Sequence, residues 1–295
     1  MTSNSSRLQQ KLAAGQFVLT AEVCPPKGTD TTAFIAAAGK LAPLIDAVNV
    51  TDNQGANMRI SPLAASALLI REGIEPVFQL TCRDRNRLAL QSELLGAAAI
   101  GVKNVLLLTG DHISFGDHKE AKTVFDLDSV QLIKTVAGLC NGADLSGRQL
   151  QGSPTFFICA AAAPEAEPFD LTLFKLRKKV AAGAAFFQTQ AVFNAAAFDR
   201  FCSAVNELDV KIIAGILILK SAGMARYINA NIPGLKVPDT IINELENSSN
   251  PAATGIEIAC RLAREVKPVC HGIHIMPMGL DEAVPLIVGE IAQLT

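Results

Sequence analysis

The stretch Phe17-Val18-Leu19-Thr20-Ala21-Glu22-Val23 runs directly into Cys24-Pro25-Pro26-Lys27-Gly28. Its short apolar run with β-branched and aromatic residues predicts a strand over 17–23 that is covered on both faces. Two consecutive prolines cannot continue a sheet, so the strand ends before them. Glu22 then lies at the C-terminal end of a buried strand, where α/β folds expose catalytic groups. A capping role with an ion pair to Lys27 is the structural alternative.

Similar apolar runs recur along the chain and alternate with segments whose apolar residues are spaced three and four apart, as in helices. Further strands are predicted over 47–51, 75–81, 104–109, 155–161, 185–189, 211–218 and 272–277. Helices are predicted over 7–14, 31–42, 61–72, 86–99, 129–139, 169–182, 195–206, 221–229 and 281–292. About eight strand-helix units in 295 residues predict an α/β fold of the (β/α)8 TIM-barrel type. We expect residues 1–295 to form a single domain with a short N-terminal helix.

A doubly wound open sheet is the alternative fold, but its first turn usually carries G-x-G-x-x-G, and here that turn carries two prolines. Two segments interrupt the alternation. Residues 110–125 form a long polar loop after the fourth strand, and loops of that length are often functional. Residues 232–251 are predicted to insert an extra helix.

Composition indicates a globular protein, because hydrophobic residues make up 49% and charged residues only 18%. The net charge of -2, with basic residues scattered, predicts no nucleic-acid partner and no anionic membrane surface. Residues 1–6 lack an apolar signal segment and no apolar run is of membrane-spanning length, which predicts a cytoplasmic protein. The seven cysteines form no C-x-x-C pair and the four histidines have no partner at metal-ligand spacing. We therefore predict reduced thiols and no metal site.

The C-terminal ends of barrel strands meet at one mouth, so polar residues there are expected to surround a ligand. In this chain they are Glu22, Thr51, Asp52, Asn53, Gln79, Thr81, Thr109, Gly110, Asp111, Gln188, Gln190, Lys220 and His274. Amides and carboxylates together suit a ligand with a donor-acceptor edge, such as a pterin or an isoalloxazine. His274 is more typical of a hydrogen-bonded core residue. The arginines in 83–87 either bind a phosphate or form internal ion pairs.

These motifs resemble the methylenetetrahydrofolate reductase family, whose members are flavin-dependent (β/α)8 barrels. Residues 21–26, Ala-Glu-Val-Cys-Pro-Pro, are similar to the family's first-strand E-x-x-P-P. Residues 79–82, Gln-Leu-Thr-Cys, resemble its H-L-T-C, and residues 108–111, Leu-Thr-Gly-Asp, resemble its R-G-D turn. Residues 176–190 are similar to L-K-R-K-V-x-A-G-A followed by T-Q.

The resemblance implies reduction of 5,10-methylenetetrahydrofolate to 5-methyltetrahydrofolate in one-carbon metabolism and methionine biosynthesis. Glu22 would be the general acid at folate N10, and flavin N5 the hydride donor. Asp111 would be a second catalytic residue that also binds the pterin, and Gln190 would hydrogen-bond the pterin. The flavin, FAD or alternatively FMN, would be bound by Thr51, Gln79, Thr109, Gly110, Asp111, Phe125, Asp126, Lys178 and Lys179. NADH or NADPH is a possible electron donor, and a homo-oligomer or a complex with a partner subunit is expected.

The sequence also departs from the family pattern, mostly at positions that would face the cofactor. The family's third-strand His is Gln79, its R-G-D Arg is Thr109, its fifth-strand Tyr and His are Cys159 and Ala163, a folate-contacting Phe is Ala222, and a late Arg is Leu280. These departures indicate a divergent branch. They leave two alternatives open: a flavin-free, pterin-binding methyltransferase-type barrel, and the catalytic subunit of a larger electron-transfer complex.

Overall fold

Eight parallel strands close into a barrel in the computed structural model, which describes residues 5–232 and 234–293. The strands are β1 (Val18–Val23), β2 (Ala47–Val50), β3 (Pro76–Thr81), β4 (Asn104–Leu108), β5 (Phe157–Ala162), β6 (Phe186–Ala191), β7 (Lys211–Leu217) and β8 (Gly272–Met276). Each strand pairs with its neighbours in sequence order, and β8 pairs with β1. The predicted (β/α)8 barrel is therefore confirmed, and the open sheet is excluded by the β1–β8 pairing.

Helices follow the strands and cover the barrel. They are α1 (Arg7–Ala13), α2 (Thr32–Leu41), α3 (Pro62–Arg71), α4 (Arg87–Ala99), α5 (Ser129–Cys140), α6 (Phe169–Ala182), α7 (Ala195–Val205), α8 (Ala222–Asn231), α9 (Asp239–Glu246), α10 (Pro251–Val266) and α11 (Val284–Ala292). The extra helix expected within 232–251 is α9. The last helix begins later than predicted, because Asp281–Ala283 forms a 3₁₀ turn and Pro285 occupies the first turn of α11.

Local side-chain chemistry sets several helix ends. Asp128 accepts a hydrogen bond from the Gln131 amide while the Gln131 side chain accepts one from the Asp128 amide, a capping box that starts α5. Asn86 accepts from two amides at the start of α4. Gly183 ends α6 with φ 118°, a conformation that L-residues with a side chain rarely adopt.

Helix α1 closes the end of the barrel opposite the mouth. Leu8 and Leu12 are buried and pack with the residues that fill this end, including Val18. The Glu75 carboxylate accepts hydrogen bonds from the amides of residues 7 and 8 at the start of the helix. Lys11 pairs with Asp46 at 2.5 Å. The short N-terminal helix is therefore part of the barrel core.

A polar layer crosses the barrel interior. Gln188 and Asn49 exchange two side-chain hydrogen bonds, at 2.6 and 3.1 Å. Gln188 also donates to Thr20 Oγ1, which lies 2.9 Å from His274 Nδ1. Burial lowers the pKa of His274 to about 4, so its imidazole is neutral near neutral pH. His274 is thus the hydrogen-bonded core residue expected, whereas Gln188, expected at the mouth, lies in this layer because its β6 position faces inward.

Within residues 5–232 and 234–293, no helix is long and apolar enough to cross a membrane. All seven cysteines are free thiols.

Candidate active site

Glu22 lies in β1 one residue before the strand ends, and its side chain is half-buried at the mouth of the barrel. Burial raises its pKa from 4.5 to about 7, while hydrogen bonds from Gln54 and Gln79 oppose the shift. Desolvation outweighs both donors because it acts on the whole charge of the carboxylate. The side chain therefore exchanges protons near neutral pH, as a general acid requires.

A cavity of about 480 Å³ opens beside Glu22. Its walls are largely apolar and include Phe34 and Met278, while Arg59 and Asp281 provide opposite charges. Arg59 Nη1 donates to the Pro25 carbonyl at 3.1 Å, which ties the loop after β2 to the proline turn after β1. The carboxyl group of Glu22 thus adjoins a space large enough for a ring-sized substrate fragment.

The arginines after β3 are held by carboxylates. Arg85 pairs with the buried Asp52 at 2.8 Å, and Arg83 pairs with Asp84 at 2.7 Å. Arg87 pairs with Asp126 at 2.8 Å. Of the two interpretations left open for residues 83–87, the structure shows internal ion pairs, because each guanidinium group has a carboxylate partner in its own surroundings.

The turn after β4 brings Asp111 to the same mouth. Gly110 has φ 94°, and a Cβ there would lie 3.0 Å from the Thr81 side chain and 3.1 Å from that of Arg83, so glycine allows the turn to pack against the end of β3. The Asp111 side chain is exposed, and the backbone carbonyl oxygen of Asp111 lies 3.5 Å from Arg83 Nη1. The Thr109 hydroxyl accepts a hydrogen bond from the Ser129 amide at the start of α5.

A second cavity of about 210 Å³ lies between β5, β6 and α6. The β6–β7 pairing shifts register between Gln188 and Ala191, and Gln190 within this irregular stretch lines the cavity. Such irregularities re-aim side chains near functional sites. Gln190 Oε1 is buried and has no hydrogen-bond partner within residues 5–232 and 234–293, so it offers an acceptor to a ligand donor.

Lys179 lines this second cavity and donates to the Ala161 carbonyl at 2.6 Å. Burial lowers its pKa, and the charge of Lys175, on the preceding turn of α6, adds to this effect. Lys178 is exposed and lies over the Phe174 ring at 4.8 Å, so α6 points the two adjacent lysines in different directions. Lys175 also lines this cavity, and the ammonium groups of Lys175 and Lys179 together suit an anion.

The remaining residues predicted to bind the flavin differ in their burial and in their contacts. Thr51 is buried directly after β2 and donates to Cys24 Sγ at 3.6 Å. Gln79 is buried in β3 beside Glu22. Phe125 packs against the core with φ 41°, and Asp126 is engaged by Arg87. The structure thus brings together Glu22 and Gln79 at one side of the mouth, and Gln190 and Lys179 at another.

Sequence reasoning missed Gln54 and Lys175. Gln54 Nε2 donates to Glu22 Oε1 at 2.8 Å, although 32 positions separate the two residues. The only signal for Gln54 was its place after a strand end. Lys175 lies one helical turn before Lys179, so the spacing could have indicated a shared face.

Fold and site together define a (β/α)8 barrel with a proton-exchanging carboxyl group at a polar, ligand-sized mouth. The family model described as methylenetetrahydrofolate reductase matches residues 7–292. The chain therefore belongs to the methylenetetrahydrofolate reductase family.

Individual relatives are distant. Methylenetetrahydrofolate reductase 2 of Schizosaccharomyces pombe is 25% identical over 319 residues, covering 98% of this chain and 47% of that protein. The chain thus spans about half the length of that relative. The 5,10-methylenetetrahydrofolate reductase of Salmonella typhimurium is 27% identical over 272 residues, covering 88% of this chain and 84% of that protein.

A solved structure from Clostridium thermocellum has the same fold, with a TM-score of 0.69 and 16% identity, covering 98% of this chain and all of that one. That protein is described as binding two copies of 5-methyl-5,6,7,8-tetrahydrofolic acid.

Proposed function

We propose that this chain reduces 5,10-methylenetetrahydrofolate to 5-methyltetrahydrofolate with Glu22 as the general acid. The observation that carries the proposal is a carboxyl group at the end of β1 with a pKa of about 7, next to a cavity. Family membership and the folate bound by the Clostridium thermocellum protein support a folate substrate.

Opening the five-membered ring of the substrate breaks the bond between N10 and the methylene carbon. Glu22 gives its proton to N10, which becomes a secondary amine, and the methylene carbon remains on N5 as an iminium cation. Hydride addition to that carbon then completes the methyl group. Near pH 7 an appreciable fraction of Glu22 is protonated, so the acid is available without a large free-energy cost.

Asp111 and Gln190 would orient the pterin. The exposed Asp111 carboxylate can accept the pterin amino edge, and its negative charge favours the cation formed after ring opening. Gln190 Oε1, which has no partner among the described residues, can accept an N–H of the ring. The two residues would fix the pterin so that N10 reaches Glu22.

The Lys175 and Lys179 side chains both line the second cavity, and their positive charges support a flavin phosphate there. We propose FAD, with FMN as the alternative, held by Lys179 and by the mouth residues Thr51, Gln79, Gly110 and Asp111. A bound reduced flavin would supply the hydride. Thr109, Phe125, Asp126 and Lys178 stay as predictions from the family resemblance. NADH or NADPH as electron donor, a cytoplasmic setting, and a homo-oligomer or complex complete the proposal.

Glu22→Gln tests the acid directly. The variant keeps the shape and the hydrogen-bond acceptor for Gln54 but lacks the transferable proton. We expect the rate of 5-methyltetrahydrofolate formation, followed by mass spectrometry with NADH or NADPH and added flavin, to fall by about 10² to 10⁴. Glu72→Gln, at the exposed C-terminal end of α3, is the matched control and should keep the wild-type rate. Near-full turnover of the Glu22 variant would contradict the assigned role.

The visible absorption spectrum of the purified protein tests the cofactor separately. A stoichiometric flavin band, with the chromophore identified by chromatography after heat release, would support FAD or FMN. A colourless protein that cannot be reconstituted with either flavin would favour the flavin-free, pterin-binding barrel.

A further inference from the structure

The contact between Gln54 and Glu22 joins an amide donor to one specific oxygen of the acid. Gln54 Nε2 lies 2.8 Å from Glu22 Oε1. Because Oε1 accepts this bond, the contact favours the transferable proton on Oε2, while a second hydrogen bond from Gln79 also stabilises the carboxylate. The contact with Gln54 therefore orients the carboxyl group and restricts its rotation.

The loop that carries Gln54 has an unusual backbone. It forms the 3₁₀ turn Gln54–Ala56, and Asn53, Gly55 and Ala56 have φ values of 46°, 61° and 59°. Positive φ is costly for residues with a Cβ and persists only where the surroundings hold it. Asn53 Oδ1 accepts the Arg59 amide at 2.9 Å, and Asn57 Nδ2 donates to the Gly55 carbonyl at 3.1 Å, so the loop is braced on both sides.

The long loop after β4 clamps this turn from outside. A Cβ on Gly116 would overlap the carbonyl of Ala56, so the two backbones are in direct contact. Asp117 accepts the Met58 amide at 3.1 Å and forms an ion pair with Lys27. The loops after β1, β2 and β4 are thereby joined around Glu22.

We propose that Gln54 is a positioning residue for Glu22, held by the clamped, left-handed turn so that Oε2 presents its proton to the substrate. The catalytic role of Gln54 rests on the proposed function. The effect of its hydrogen bond on Glu22 can be tested independently, because the protonation of Glu22 can be measured without turnover. The loop over 110–125, predicted to be functional, would then act by bracing the loop that carries Gln54.

Titratable, charged and polar groups from several elements also lie near Glu22. Cys24 lies directly after β1, Arg59 on the loop after β2, Gln79 in β3, and Asp281 after β8. Burial raises the pKa of Cys24, and burial also raises the pKa of Asp281. None of these groups changes when Gln54 alone is replaced, so a shift in Glu22 titration reports the amide contact.

The test is a pH titration of protein labelled with ¹³C at glutamate Cδ, with the Glu22 signal assigned from Glu22→Gln. Gln54→Met keeps the side-chain length but removes the donor. Because the amide stabilises the carboxylate, we expect its loss to raise the midpoint of Glu22 by about one pH unit. Gln151→Met, an exposed glutamine near the opposite end of the barrel, should leave the midpoint unchanged.

An unchanged midpoint in a folded Gln54→Met protein overturns the proposal. Should that variant not fold, Gln54→Ala, which removes the donor from an exposed position without adding volume, decides the question by the same criterion. A raised midpoint together with a parallel upward shift of the pH profile for folate reduction supports both proposals. A raised midpoint in a protein that forms no 5-methyltetrahydrofolate supports the positioning contact and refutes the proposed function.

Discussion

We expect Glu22 to make the protein less stable as pH rises, which is the direction typical of a buried acid that is protonated in the folded state. Its pKa is about 7 in the folded protein, against 4.5 for the ordinary side chain. Between these values the folded state binds more protons than the unfolded state, so the free energy of unfolding falls as pH rises. Stability from the protonated carboxyl is complete below about pH 4.5 and is lost as pH rises through about 7.

The size of the effect follows from the shift. A pKa difference of about 2.5 corresponds to about 3 kcal/mol. Glu22→Gln removes the charge and keeps the acceptor for Gln54. We therefore expect the free energy of unfolding of the variant, relative to wild type, to increase by about 2 to 3 kcal/mol between pH 5 and pH 8.

Urea unfolding followed by circular dichroism at pH 5, 6, 7 and 8 measures this difference. Subtracting the free energy of unfolding of the wild type from that of the variant cancels the titration of other groups. These include His271 and His274, whose pKa values are lowered by burial. Glu72→Gln is the control for removal of a carboxylate at an exposed position. A flat difference curve for Glu22→Gln would refute the claim that burial keeps this acid neutral, and the general-acid assignment would lose its physical basis.

Two further predictions concern the scaffold. Arg85→Leu leaves the carboxylate of Asp52, which is fully buried, without its partner at 2.8 Å, and we expect a loss of about 3 to 5 kcal/mol in urea unfolding. Adding Asp52→Asn should recover part of that loss; no recovery would contradict the ion-pair explanation. Gly255→Ala places a Cβ onto the carbonyl of Leu219 and should destabilise the protein by about 1 to 3 kcal/mol. Gly289→Ala, whose added Cβ has no neighbour within 4 Å in the described part of the chain, should be neutral or stabilising. Equal effects of the two alanines would contradict the close approach of α10 to the loop after β7.

The barrel could be predicted because its signals are local. A parallel strand covered on both faces needs a short apolar run, and a covering helix needs apolar residues at three- and four-residue spacing. The predicted strand ends differ from the observed ones by at most two residues, as for 185–189 against Phe186–Ala191. Strand β6 continues past residue 189 because its pairing with β7 shifts register there. This shift depends on the partner strand, so the local sequence gives no signal for it.

Local patterns along the chain were enough to predict that Glu22 lies near the end of a strand, that eight strand-helix units follow one another, and that the motifs belong to one family. The contact between Gln54 and Glu22, the pairing of Asp52 with Arg85, and the position of Gln188 inside the barrel could be seen only in the folded protein. The physical reason is that hydrophobic periodicity is written along the chain, whereas desolvation and hydrogen bonding depend on groups brought together through space. The pKa of Glu22 belongs to the second kind, because it depends on burial of the carboxyl group and on hydrogen bonds from Gln54 and Gln79.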